Sequence, residues 1–436
     1  MTAAGTEAAL APVAAAHPAH PAHPAHPAHP AHRSPQVLRW LGAYTASTLG
    51  DSVYYLALSW AAVSSGTPAQ AGLVMTVSAV PRALLMLVGG VVADRLGPRR
   101  VVIVSDAVRC LSTFGLAAIL LLASPGLWVL AAVALVFGTV DALFLPAVGA
   151  LPPRIADRDQ LARVQGMRGL AYRLGAVLGG PLGGLAVATG GPAGAFGVAG
   201  VLFALSVPLL CTLRLRSLPG DDRADRDGRD GRGKALSDLR DGLRYLRGHR
   251  ILGPLMIVVL LGDLGFTGPA NVGLAILSEQ RGWGASGIGW VLAGFGTGAG
   301  AAALLVTVLG RIPRAGAVLG WAIVLGAVTL GALAQVPRLP VAVAVAVVTG
   351  LLTGLSGVLC GTLVQTECDP AFLGRVSAVS SLGSLGIAPL SYPLTGTAMG
   401  LWGPGPVYIV SAAVCAASGL FALAVPALRR AELSGS

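Results

Sequence analysis

Apolar residues fall in long runs of roughly 20–25, the length a helix needs to cross a hydrocarbon layer of about 30 Å. The composition points the same way: of 436 residues 54% are apolar, 11% are charged and 61 are glycine. A soluble domain is about 25% charged. Water cannot solvate a globule made this way, so a soluble enzyme is excluded and an all-α, polytopic membrane protein is expected.

The runs predict about twelve spans, near 39–63, 71–93, 101–123, 127–150, 166–189, 193–213, 251–277, 285–309, 315–335, 340–363, 376–399 and 404–427. Their connections alternate. One set carries Arg95, Arg99 and Arg100, then Arg154, Arg158 and Arg163, the charged stretch 214–250, Arg311 and Arg314, Arg375, and Arg429 and Arg430. The other set has only Arg281 and Arg338. In a soluble chain a net charge of +11 would suggest nucleic acid. Here the basic residues sit between spans, where arginine-rich loops stay in the cytoplasm. Both termini are therefore expected inside, in a multi-pass protein of the cell membrane.

Residues 1–36 read as a disordered His/Pro/Ala-rich cytoplasmic tail without the pattern of a secretory signal. His17, His20, His23, His26, His29 and His32 recur every third residue, so a polyproline II helix would line them along one edge. Weak metal binding is one reading, and a slipped codon repeat is the simpler one. Residues 37–213 form a six-span half, 214–250 a charged cytoplasmic linker, 251–428 a second six-span half and 429–436 a short cytoplasmic tail. The five cysteines are scattered and make no ligand cluster, so neither metal nor cofactor is expected. Gly228, Gly233 and Lys234 imitate a phosphate-binding loop, but Ala235 stands where Ser or Thr is required and no strand precedes it.

The halves repeat each other. A shift of 212 residues lays Leu49-Gly50-Asp51 on Leu261-Gly262-Asp263, Arg163-Val164 on Arg375-Val376, and Pro181 and Gly184 on Pro393 and Gly396. Two like halves suggest a transporter that rocks about a central site.

Between spans 2 and 3 stand Gly90, Asp94, Arg95, Gly97, Arg99 and Arg100. This loop resembles the signature Gly-x-x-x-Asp-Arg-x-Gly-Arg-Arg of the major facilitator superfamily, with Pro98 where a basic residue is commoner. Such a charged cluster can lock one conformation and release another, as a gate. Span 5 carries Gly175, Gly179, Pro181, Gly183 and Gly184, similar to the superfamily's antiporter motif, with Gly180 at the proline position and Pro181 one residue late. Glycines four apart make a flat helix face and proline bends the helix, which suits a hinge between half-bundles. Gly50-Asp51, Pro81-Arg82 and Asp106-x-x-Arg109 add a resemblance to the macrolide, multidrug and siderophore efflux branch.

Charges inside a bilayer cost at least ~2.5–3.5 kcal/mol each at the helix centre, so each needs a partner or a function. Asp106 and Arg109 are three residues apart and can neutralise each other. Asp51, Asp141 and Asp263 remain as proton-coupling candidates, with Arg82 and Arg173 as counter-charges. A permanent Asp51–Arg82 bridge is the structural alternative. The resemblance implies that spans 1, 4, 7 and 10 line the central cavity, which places all three aspartates on cavity helices. The arginine that many proton antiporters carry in span 4 is absent, and Asp141 occupies its neighbourhood.

Tyr55, Trp60, Phe137, Phe266 and Asn271 are expected to give the cavity an aromatic wall with few hydrogen-bonding groups. These features favour proton-coupled efflux of a hydrophobic or amphipathic small molecule, a drug or secondary metabolite. An uptake permease and a non-transporting sensor or scaffold are the alternatives. The expected partners are the bilayer, a small-molecule substrate and protons, with no nucleic acid, and the chain is expected to act as a monomer.

Overall fold

The computed structural model describes residues 34–123, 126–216, 231–309, 312–369 and 371–432. The histidine repeat, Gly228 and Arg311 lie outside the described residues, as do the side chains of Asp94, Arg158, Lys234 and Ala235.

Among the described residues, nine helices are long and apolar enough to cross a membrane. The longest, Leu161–Cys211, is broken at Gly191, whose backbone (φ 63°, ψ −169°) is open essentially to glycine alone. Split there, it yields α5 (161–190) and α6 (192–211). Before it run α1 (Pro35–Ser65), which is not among those nine, α2 (Pro68–Leu96), α3 (Pro98–Leu122) and α4 (Leu127–Gly149). After it come α7 (Leu252–Gln280), α8 (Gly284–Leu309), α9 (Ala315–Leu333), α10 (Leu339–Glu367), α11 (Leu373–Trp402), which is also outside the nine, and α12 (Pro404–Ala424). Several helices, such as α2 and α11, run a few residues past the apolar windows, because polar flanks continue the same turn.

Local chemistry explains where the helices begin. Prolines open α1, α2, α3 and α12, where the missing N–H costs nothing. Thr67 and Gln70 cap α2 reciprocally. α7 is interrupted by a π-turn at Pro269–Gly273, since proline cannot donate to the ladder. Ser391 Oγ accepts from the Gly268 amide at 2.9 Å, and Tyr408 donates to the Pro269 carbonyl at 3.0 Å, so α11 and α12 hold the turn in place.

Packing repeats as the sequence does. In the first half α1 lies on α5 and α6, α2 on α4, and α3 on α6. Six helices later α7 lies on α11 and α12, α8 on α10, and α9 on α12. The halves meet through α2 with α11 and α5 with α8. A further helix, Gly231–Gly248, sits on the arginine-rich end of the second half. Asp238 pairs with Arg375 at 2.8 Å, and the Tyr245 ring stacks on Phe372 at 4.5 Å.

Candidate functional site

Ser47, Asp51 and Tyr55 are spaced four apart on α1, so they share one face. That face meets Asp106 and Arg109 of α3, Phe137, Asp141 and Phe144 of α4, and Phe203 and Ser206 of α6. Arg109 is the centre, with its side chain only 1% exposed. Its guanidinium carbon lies 4.0 Å from the Phe144 ring centre, 5.3 Å from Phe137 and 5.7 Å from Phe203. Its Nη1 donates to Asp106 Oδ1 at 3.2 Å and stands 3.7 Å from Asp51 Oδ1, while Nη2 donates to Asp141 Oδ1.

Three carboxylates thus share two guanidinium groups, and they share them unequally. Asp106 also accepts from Ser47 at 2.9 Å and from Ser206 at 2.5 Å. Asp141 accepts from the Tyr55 hydroxyl at 2.7 Å and lies 3.6 Å from Arg82 Nη1, which itself donates to Tyr55 at 3.3 Å. Asp51 has the weakest hold. Its Oδ1 is buried without a hydrogen bond, and its side chain is 26% exposed, against 0% for Asp106 and 6% for Asp141.

These pairings differ from the sequence expectation in two ways. Asp106 and Arg109 do pair, but Arg109 is not consumed by its neighbour, since it also holds Asp141 and approaches Asp51. Arg82 faces Asp141 rather than Asp51. The signal that identifies Arg109 is stoichiometric. The first half has three intramembrane aspartates, and a single arginine at mid-depth of α3 is all that can reach them together.

Beside this cluster a cleft of about 790 Å³ opens between the halves. Tyr55, Arg82 and Arg173 line it from the first half, and Asp263, Asn271 and Ser384 from the second. Tyr55 and Asn271 are thus where they were expected, but other cavity candidates are not. Phe137 is fully buried inside the first half, stacked on Tyr54 at 3.6 Å. Trp60 packs against the buried core and does not line the cleft. Phe266 lines a separate cavity of about 260 Å³ inside the second half. Arg173 is exposed to the cleft with no ion pair among the described residues, so it does not counter the carboxylates. Two guanidinium groups, several hydroxyls and an amide make the wall more polar than an aromatic lining.

The cleft is closed at its arginine-poor end. There a Cβ on Gly184 of α5 would lie 3.0 Å from the Ala285 carbonyl of α8, and one on Gly72 of α2 would lie 2.7 Å from the Tyr392 carbonyl of α11. Nearer the arginine-rich end of the same four helices, Gly90, Gly169, Gly300 and Gly386 have open space where a Cβ would stand. The α5 motif therefore divides into two faces. Gly175, Gly179 and Gly183 receive α1 at Thr48, Ser52 and Val53, whereas Gly180 and Gly184 receive α8. Pro181 lies between these faces.

In the gate loop, a Cβ at Gly90 would meet open space. Gly97 supplies the left-handed turn (φ 82°) between α2 and α3. Arg99 caps the end of α6 by donating to the Leu210 carbonyl at 3.3 Å and to that of Cys211. Arg95 closes the last turn of α2, and Arg100 is exposed. Asp263 accepts from Ser384 at 2.5 Å and has no ion pair among the described residues. It lines both the cleft and the inner cavity of the second half.

Comparison with known proteins follows this geometry. The profile of the Major Facilitator Superfamily matches residues 40–272. The enterobactin exporter EntS of Shigella boydii and that of Escherichia coli are each 27% identical over 310 residues, covering 71% of this chain and 72% of theirs. Among solved structures, the nucleoside transporter NupG superposes with a TM-score of 0.66 at 15% identity, over 90% of this chain and 98% of its own. The inward-open xylose transporter XylE of E. coli gives 0.63 at 16% identity, over 92% and 96%.

Proposed function

The chain belongs to the major facilitator superfamily, whose members are membrane transporters and not enzymes, and from that premise we propose that it exports an amphipathic organic compound in exchange for protons, with Asp51 as the proton carrier. The observation that carries the proposal is the imbalance of the buried cluster. Three carboxylates face two guanidinium groups, and Asp51 alone has an oxygen buried without a hydrogen bond. A proton on Asp51 removes the surplus negative charge and leaves Arg109 to Asp106 and Asp141.

The consequence reaches the cleft through α1. The same helix presents Ser52, Tyr55 and Ser59 to the cleft and lies in the glycine groove of α5, whose other face is sealed against α8. A change in the hold of α3 on α1 therefore bears on the seal between the halves. Each proton moving down 100 mV supplies about 2.3 kcal/mol to bias that exchange. The arginine-rich end, where the cleft opens, is taken as cytoplasmic. Export is favoured by the relatives named as enterobactin exporters.

The test uses proteoliposomes with an imposed pH gradient, a panel of fluorescent amphipaths and a lumenal pH dye. Export predicts substrate and proton fluxes of opposite direction. Asp51→Asn is expected to abolish gradient-driven flux while leaving equilibrium exchange of substrate intact. Gradient-driven flux at the normal rate in Asp51→Asn would remove Asp51 from the pathway. Fluxes of substrate and proton in the same direction would make the protein a symporter.

A further inference from the structure

The two halves use the same four helix positions differently. In the first half the space among α1, α3, α4 and α6 is filled by the Arg109 side chain, held between phenylalanine rings and carboxylates. One repeat later, the space among α7, α9, α10 and α12 is the cavity of about 260 Å³. Asp263, the repeat partner of Asp51, faces it, and α9 contains no basic residue to pair with it. We infer that this cavity binds a lipophilic ammonium compound, with Asp263 as its counter-ion.

The lining fits that class. Leu319, Ile323 and Leu330 give apolar walls, Phe266 offers a ring face to a cation, and Ser356 and Cys360 add weak polar contacts. An apolar cavity of about 150 Å³ takes benzene, so this one takes a bicyclic arene with a short ammonium arm. Ser384 occupies only Oδ2 of Asp263, which leaves Oδ1 for the ligand. Access is from the cleft, since Asp263 and Gly357 line both spaces.

No other charge competes nearby from the bundle. α9 and α12 have no charged residue, and those of α10 and α11, Glu367 and Arg375, stand at the arginine-rich ends. The remaining charge of α7, Glu279, stands at the opposite end. Cys360 and Cys415 are the other titratable groups of the cavity, and Arg82, Arg173, Tyr55 and Tyr172 of the first half and Tyr392 of α11 line the cleft with Asp263. A bound ammonium and a proton on Asp263 exclude each other, so ammonium binding weakens as the pH is lowered. The inference rests on the proposed exporter only in making the bound cation the transported compound.

The experiment measures binding of three probes of one size to the purified full chain in detergent: naphthylmethylammonium, naphthamide and naphthoate. The ammonium is expected to bind at least about tenfold more tightly than the amide, with an affinity that falls as the pH is lowered. Asp263→Asn is expected to erase that preference and its pH dependence, and Asp263→Glu to restore both. Ala327→Leu, which fills the cavity from α9, is expected to weaken ammonium binding about tenfold, and Ala176→Leu, which crowds only the cleft, to leave it within twofold. Equal affinity for the three probes, a preference for naphthoate, or sensitivity to Ala176→Leu in place of Ala327→Leu overturns the inference. Ammonium binding without pH-driven flux overturns the exporter reading and leaves the site standing.

Discussion

Gly184→Leu tests whether the α5–α8 contact is the seal of the cleft. A Cβ at this position would lie 3.0 Å from the Ala285 carbonyl oxygen and 3.2 Å from the Cα atoms of Ser286 and Gly289. All three are backbone atoms, so no rotamer change relieves the contact and the helices must separate. Overpacking of this kind costs about 1–3 kcal/mol, which lowers the population of the sealed state about 5- to 150-fold relative to a state where α5 and α8 are apart. The assay replaces the five native cysteines by alanine and places one cysteine at Ser59, which lines the cleft toward its closed end. A membrane-impermeant maleimide is then added on the arginine-poor side. Labelling is expected to rise at least about fivefold in Gly184→Leu, with Gly169→Leu, whose Cβ meets open space, as the unchanged control. An unchanged or slower rate in Gly184→Leu would refute the assignment of this contact as the seal.

Two further outcomes follow from the buried cluster and the chain break. Arg109→Met leaves Asp106 and Asp141 without their common cation and is expected to destabilise the purified protein by about 3–5 kcal/mol in reversible detergent-to-SDS unfolding. Adding Asp141→Asn should recover part of that loss, and additive effects of the two changes would contradict the pairing. Gly191→Ala forces an L side chain into φ 63°, ψ −169°, with an expected cost of about 1–3 kcal/mol; unaltered thermal unfolding would show that the break between α5 and α6 tolerates it.

The architecture was legible because it depends on local, periodic signals. Apolar runs mark helices, arginines mark one end, and the 212-residue offset predicts that packing in one half recurs in the other, as it does between α2·α4 and α8·α10. The ion pairs had no such signal. Arg82 and Asp141 are 59 positions apart, and their pairing depends on the crossing of α2 and α4, which close-packed glycines such as Gly89 and Gly138 set. Phe137 was misplaced for a related reason. α4 is apolar nearly all round, so its pattern does not say which face looks into the cleft and which into the bundle. The wider reach of Arg109 has no sequence signal, because its neighbour Asp106 offers a sufficient local partner.

The cluster also ties the charge of a ligand to the direction it travels. Arg82 lines the cleft and faces Asp141, and Arg109 lies between Asp141 and Asp51, so positive and negative groups alternate along the cluster. An anion entering the cleft draws Arg82 from Asp141, which then claims more of Arg109, and Asp51 is left to take a proton. Anion and proton would bind together and move in one direction. Under the proposed exchange, a cation at Asp263 adds positive charge across the cleft and opposes a proton there, so the two would alternate. Export driven by inward proton flow therefore selects for ligands carrying positive charge toward the second half. Asp263, which has no ion pair among the described residues, is where the proposed exporter would meet that requirement.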